Sequence, residues 1–168
     1  MIGAGYVRLM AAYNAEMNSR IYAAAARLGE AERRRDRGAF WHSIQGTLSH
    51  LLWADRMWMS RLAGWEKPDV PLVQSHHYFE DFAALLIERS TADAGIVAWA
   101  EQTDDAALAE ELSWFSGAAK RQVRMNRSKL LVHFFNHQTH HRGQVHAMLT
   151  AAGEHTGDTD IFLVVPNA

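Results

Sequence analysis

Apolar residues recur at three- and four-residue steps along four long stretches of the chain, the spacing that lines one face of an α-helix. The first stripe is Leu9, Ala12, Tyr13, Met17, Ile21, Ala24 and Leu28, and Gly29 is a natural stop. The second starts at Ser43, a residue type suited to an N-cap, and runs through Thr47, His50, Ala54, Met57 and Arg61 to Gly64. A loop with Pro68 and Pro71 follows. The third spans roughly Tyr78 to Glu101, and the fourth runs from a cap near Asn126 to Gly153. Four such helices in 168 residues predict an all-α four-helix bundle that forms a single domain over 1–168.

Two segments break this pattern. Leu112 to Met125 reads as a short extended excursion before the last helix, with Ser116-Gly117 as the turn between its two pieces. The run Ile161-Phe162-Leu163-Val164-Val165 is apolar and too short for a fifth bundle helix. It predicts an extended C-terminal strap packed on the surface.

Composition mainly excludes. A formal charge of −2 argues against a nucleic-acid partner. The one basic run, Arg33 to Arg35 with Arg37, is interleaved with Glu30, Glu32 and Asp36 and reads as a solvated helix end. The absence of cysteine rules out disulfides, zinc–thiolate sites and a cysteine nucleophile, and points to a reducing cytoplasm. No apolar run approaches the roughly 20 residues needed to span a bilayer, so no membrane partner is expected. Met1 to Tyr13 shows no signal-peptide pattern.

The candidate chemistry lies in the histidines. There are ten, and five fall between His133 and His146. His137 and His141 sit at i and i+4, about 6 Å apart along a helix axis, so two imidazoles can meet one ion. Leu130, Phe134, Val145, Met148 and Ala152 share their side of the helical wheel, which predicts that the pair points into the core. Adjacent imidazoles in an apolar core need partners, and a divalent metal satisfies both at once. His133 also reads as inward. It is about 12 Å from His141 along the axis, so the ion can take His133 with His137 or His137 with His141, but not all three. His50, mid-helix on the presumed inner face of the second helix, is the candidate from a facing helix, although a lone inward histidine is more often a hydrogen-bonded core residue. Three neutral imidazoles with one open position characterise catalytic rather than structural sites.

The segment Asn136-His137-Gln138-Thr139-His140-His141-Arg142-Gly143-Gln144, preceded by Leu130 and His133, closely resembles the signature of the DinB-like (damage-inducible) family. Gly38 to Ile44 followed by Thr47 to Asp55 is similar to that family's second-helix region, and Tyr13-Asn14 also fits. The match in order and spacing runs over essentially the whole chain. The resemblance implies a bundle of up-down-down-up order, commonly a homodimer, with one divalent ion held by His50, His137 and His141. Zinc or nickel is the expected metal, with iron and manganese as alternatives. His42 is a departure, since the family often has a small residue there.

The wider superfamily resembles thiol-dependent S-transferases and a maleylpyruvate isomerase. The leading expectation is therefore a metal-dependent transferase that activates a small exogenous thiol toward a small electrophile. Arg142, Gln144 and His133 are the candidate supporting or substrate contacts, although Arg142 falls about 140° from His137 on the wheel. One alternative is a non-enzymatic, stress-related metal- or ligand-binding homodimer. Another is a metal-dependent hydrolase, for which no inward carboxylate stands out, since Asp55 lies about 140° from His50.

Overall fold

A computed structural model describes residues 1–117 and 119–165. Position 118 and positions 166–168 belong to the expected single domain and lie outside the described residues.

Three of the four long helices begin where a capping side chain accepts from free backbone N–H groups, and the first starts after Gly3 without such a cap. Helix α1 spans Ala4–Arg27 and ends as Leu28 turns extended before Gly29. Glu30–Arg34 then forms one further helical piece, α2. Helix α3 spans Ile44–Leu62, and Ser43 Oγ accepts from the Gly46 N–H at 3.0 Å. A 3₁₀ helix covers Leu72–His77. Helix α4 is Phe82–Gln102 and starts four residues after the expected Tyr78, because Asp81 Oδ1 caps Ala83 and Ala84 while Tyr78 closes the 3₁₀ turn. Helix α5, Asp105–Ala109, is capped by Asp104. Strands β1 (Glu111–Ser116) and β2 (Arg121–Asn126) form the predicted excursion, an antiparallel pair from Glu111 opposite Asn126 to Ser116 opposite Arg121. Helix α6 is Arg127–Ala151, and Asn126 Oδ1 accepts from the Ser128 N–H at 2.9 Å.

The expected C-terminal strap is not extended. Residues Ile161–Val164 form a single helical turn, α7, in which Asp160 O accepts from the Leu163 and Val164 N–H groups. Satisfying those donors locally leaves Phe162 and Leu163 exposed, and Val164 alone is buried. The segment therefore covers little surface.

Helix α1 packs on α4 and α6, and α3 packs on the same two helices. Beside a small cluster of Trp53, Ala54 and Met57, the interior holds two larger apolar clusters. One holds Ile21, Leu48, Leu52, Leu85, Val145 and Leu149, and the other holds Val7, Met59, Ile96, Leu131, Phe134 and Phe135. Between them runs a layer of buried polar side chains: Asn14, Asn18, Asp55, Arg89, Gln138 and Arg142. Buried charges persist only when paired. Here Arg89 Nη1 donates to Asp55 Oδ2 at 2.6 Å, and Nη2 lies 2.8 Å from Asp93 Oδ1. Arg142 bonds Asn14 Oδ1.

Candidate metal centre

The packing of α3 on α6 brings His50 to His137 and His141. Each offers one ring nitrogen, and these three atoms lie within 4.8 Å of one another. The four-residue step along α6 sets the His137 and His141 ring centroids 4.4 Å apart. His50 approaches from α3 with its centroid 4.7 Å from His141 and 5.4 Å from His137. His50 Nε2 is 3.4 Å from His137 Nε2.

Two outer contacts orient the rings. Gln144 Oε1, an acceptor, takes the His141 Nδ1 hydrogen at 2.8 Å and thereby frees that ring's Nε2 lone pair. His50 Nδ1 lies 2.7 Å from Ser75 Oγ, which directs its Nε2 toward α6. Burial, together with the neighbouring imidazoles, pushes the His50 pKa down to about 2 and that of His137 to about 3, and His141 is lowered by burial as well. All three rings are therefore neutral near pH 7, as metal ligation requires.

The spacing fits an ion. Two nitrogens each about 2.0–2.1 Å from a tetrahedral zinc lie about 3.4 Å from each other. When Ser75 Oγ accepts from Nδ1, the 3.4 Å contact sets the His50 lone pair toward His137 Nε2, an arrangement a shared cation resolves. Among the described residues no carboxylate or fourth histidine joins the cluster, so the protein would offer an ion three ligands and leave a tetrahedral position open.

Trp41 covers one side of this centre. Its ring stacks on His50 at 4.1 Å and 24°, and on His76 at 5.6 Å. The backbone behind it is tight, since a Cβ on Gly46 would sit 2.5 Å from Trp41 O. Gly46 is thus required by close approach. Gly46→Ala is expected to cost about 1–3 kcal/mol and to displace Trp41. Urea unfolding together with the near-UV circular dichroism of the aromatic stack would show this, and an unchanged spectrum and midpoint would contradict it.

The remaining sequence candidates separate clearly. His50 and His141 are buried, while His137 is half-buried at the rim, so the pair does not lie wholly in the core. His133 is exposed and rests edge-on against Trp58 at 5.3 Å instead of facing inward, because Leu130, Leu131, Phe134 and Phe135 form the buried face of α6 at that turn. His140 is exposed, and half-buried His146 contacts Thr156 Oγ1 through Nδ1 at 2.6 Å. His42 is exposed in the left-handed region at φ 65°, with Nδ1 3.3 Å from Asp36 Oδ2. Arg142 turns to Asn14 on α1, away from the histidines, and Asp55 is held by Arg89. Ser75 and Trp41 escaped the sequence reading. They lie in a 3₁₀ turn and a loop, where no 3.6-residue periodicity marks an inward position.

Among the described residues no helix is long and apolar enough to cross a membrane. No curated protein matches the chain. The sequence profile of the DinB family matches residues 1–165. With nearly the whole chain matched and three histidines of facing helices gathered at one point, the chain belongs to the DinB family.

Proposed function

We propose that this chain is a metal-dependent enzyme of the cytoplasm that holds one divalent ion, zinc or nickel, through His50, His137 and His141. Its reaction transfers or rearranges groups on a small electrophile with the help of a low-molecular-weight thiol. The observation that carries the reading is the neutral three-imidazole set with an open fourth position. When bound, the ion supplies a Lewis acid that makes a coordinated thiol acidic near neutral pH. The thiol must be exogenous, because the chain has no cysteine.

The protein's own part is to orient and enclose. Gln144 and Ser75 set the His141 and His50 rings, and Trp41 shields one side of His50 from water. Hydrolysis is less well served, because Asp55, the buried carboxylate on α3, is already engaged by Arg89 and is absent from the histidine cluster.

The same reading places the four long helices in one domain in up-down-down-up order. Cross-helix contacts support this order. Tyr6 meets Phe135 and Asn14 meets Arg142, while Tyr22 meets Phe82 and Asn18 meets Asp93. Contacts then advance together between α1 and α6 and run oppositely between α1 and α4. Trp58 beside His133 and His50 beside His141 set α3 against the direction of α6. A homodimer completes the proposal.

Untagged protein loaded with cobalt and titrated with 2-mercaptoethanol provides the test. About one ion per chain and a sulfur-to-cobalt charge-transfer band are expected, with both lost in His137→Ala and His141→Ala. Metal without a band would remove the thiol step and leave a binding or structural ion. Failure of the wild type to hold any metal would remove the site.

A further inference from the structure

On the opposite side of the polar layer, α1 and α4 border a groove of about 430 Å³. Its polar lining is Asn18, Tyr22, Arg89 and Asp93 with the exposed Ser19 and Ser90, and its walls include Ala15, Leu86 and Ala94. The polar groups are not all matched. Tyr22 donates its hydroxyl to Leu48 O at 3.1 Å, so it has no hydrogen left to give. Asn18 Nδ2 donates to Asp93 Oδ1 at 2.9 Å, and Arg89 Nη2 converges on that same oxygen at 2.8 Å. Asn18 Oδ1, in a fully buried residue, has no partner among the described residues. The other Asp93 oxygen is left to meet whatever enters the groove.

Charge favours one class of occupant. Two carboxylates, Asp55 and Asp93, share the Arg89 guanidinium, and the other buried cation, Arg142, bonds Asn14 on the α6 side. The groove therefore ends in two free acceptors, Asn18 Oδ1 and the outer Asp93 oxygen, beside the Arg89 Nε and Nη2 donors, which make no hydrogen bond among the described residues, under walls of methyl and isobutyl groups.

We propose that this groove is a binding site for a small primary alkylamine, with its ammonium donating to Asp93 and Asn18 Oδ1 and its carbon chain lying along Ala15, Leu86 and Ala94. A hydroxyl on the ligand would also meet Arg89 Nε, a buried donor without a partner among the described residues. Burial holds the Asp93 carboxyl up at about 6 despite Arg89, a penalty that an incoming cation relieves. The site is independent of the histidines, which face the α3–α6 side.

The experiment is a titration of the intact 168-residue chain with n-butylammonium, followed by amide NMR, beside n-butanol as the neutral isostere. Saturable shifts confined to α1 and α4 are expected, with binding roughly tenfold weaker or worse for butanol and for Asp93→Asn. Ala94→Trp, a change at an exposed position that fills the groove without touching the polar network, should weaken binding similarly. His137→Ala should bind as the wild type does, which separates this outcome from that of the metal centre. Equal shifts with butanol, binding unchanged in both groove variants, loss in His137→Ala, or no saturable shift would each overturn the proposal.

Discussion

Arg89→Ala should destabilise the protein by about 3–5 kcal/mol, the range for removing one partner of a buried ion pair. Against a total of roughly 5–15 kcal/mol for an ordinary domain, such a loss brings the protein close to unfolding. The reason is accounting of charge. Arg89 is 2% exposed and serves Asp55, which is 1% exposed, together with Asp93. Truncation leaves the buried Asp55 and the half-buried Asp93 without their cation and opens a void where the guanidinium lay. Asp55 would have to take up a proton or carry an unpaired charge. Urea unfolding at neutral pH measures the effect, and a loss below about 1 kcal/mol would show that the layer is much wetter than its burial implies. Replacing Arg89 and Asp55 together by leucine should cost far less than Arg89→Ala, because no orphaned charge remains at Asp55.

The metal-free protein should lose stability as pH falls from about 6.5 to 4.5. The folded-state pKa values of His50 and His137 lie near 2 and 3, below the 6.5 of the unfolded chain. Above 6.5 both states keep these rings neutral. Below it the unfolded chain takes up protons that the folded state refuses, so acid favours unfolding. Each ring contributes up to about 1.4 kcal/mol per pH unit over this window. Asp93 acts in the opposite sense. Its folded pKa of about 6 lies above the ordinary aspartate value of 3.8, so acid relieves a folded-state penalty between those values. Asp55, raised by burial, adds to that opposition, while His141, lowered by burial, adds to the loss. The balance is a net fall of up to about 1–2 kcal/mol per pH unit. Urea midpoints across this range, for metal-free wild type and for His50→Gln and Asp93→Asn, supply the measurement. The histidine variant should flatten the slope and the aspartate variant should steepen it. A flat wild-type curve would mean that the apo rings are protonated within the fold.

The long helices and the hairpin were legible because they obey local rules. Ser43 and Asn126 cap as their side chains dictate, and the interrupted periodicity at Leu112 to Met125 marks two strands. His137 and His141 were legible because a four-residue step fixes their proximity whatever the tertiary structure. His50 was legible as a facing-helix candidate from its place on the inner stripe of α3, and the family resemblance then favoured it as a ligand over a hydrogen-bonded core histidine. Ser75 and Trp41 left no trace, being placed by a short 3₁₀ turn and a loop. Arg142 was misjudged because α6 is covered on two sides. A wheel centred on His137 correctly excludes Arg142 from the histidines, but cannot reveal that α1 buries it. The C-terminal apolar run misled for a different reason. Apolar composition predicts contact, but Asp160 caps a helical turn that leaves most of the run in solvent.

The polar layer between the two apolar clusters also acts as an axial lock. Leucines and alanines tolerate slippage, because one apolar contact resembles the next. A slide of α4 or α6 by one helical turn, about 5.4 Å, would strand Arg89 opposite Leu52 or Met59 and part Arg142 from Asn14. No such alternative alignment can compete with the native one. The histidines inherit this precision, since His50 sits five residues from Asp55 on α3 and His141 is next to Arg142 on α6. The charged layer, which is no part of the histidine cluster, thereby determines how narrowly the three imidazole nitrogens are aligned.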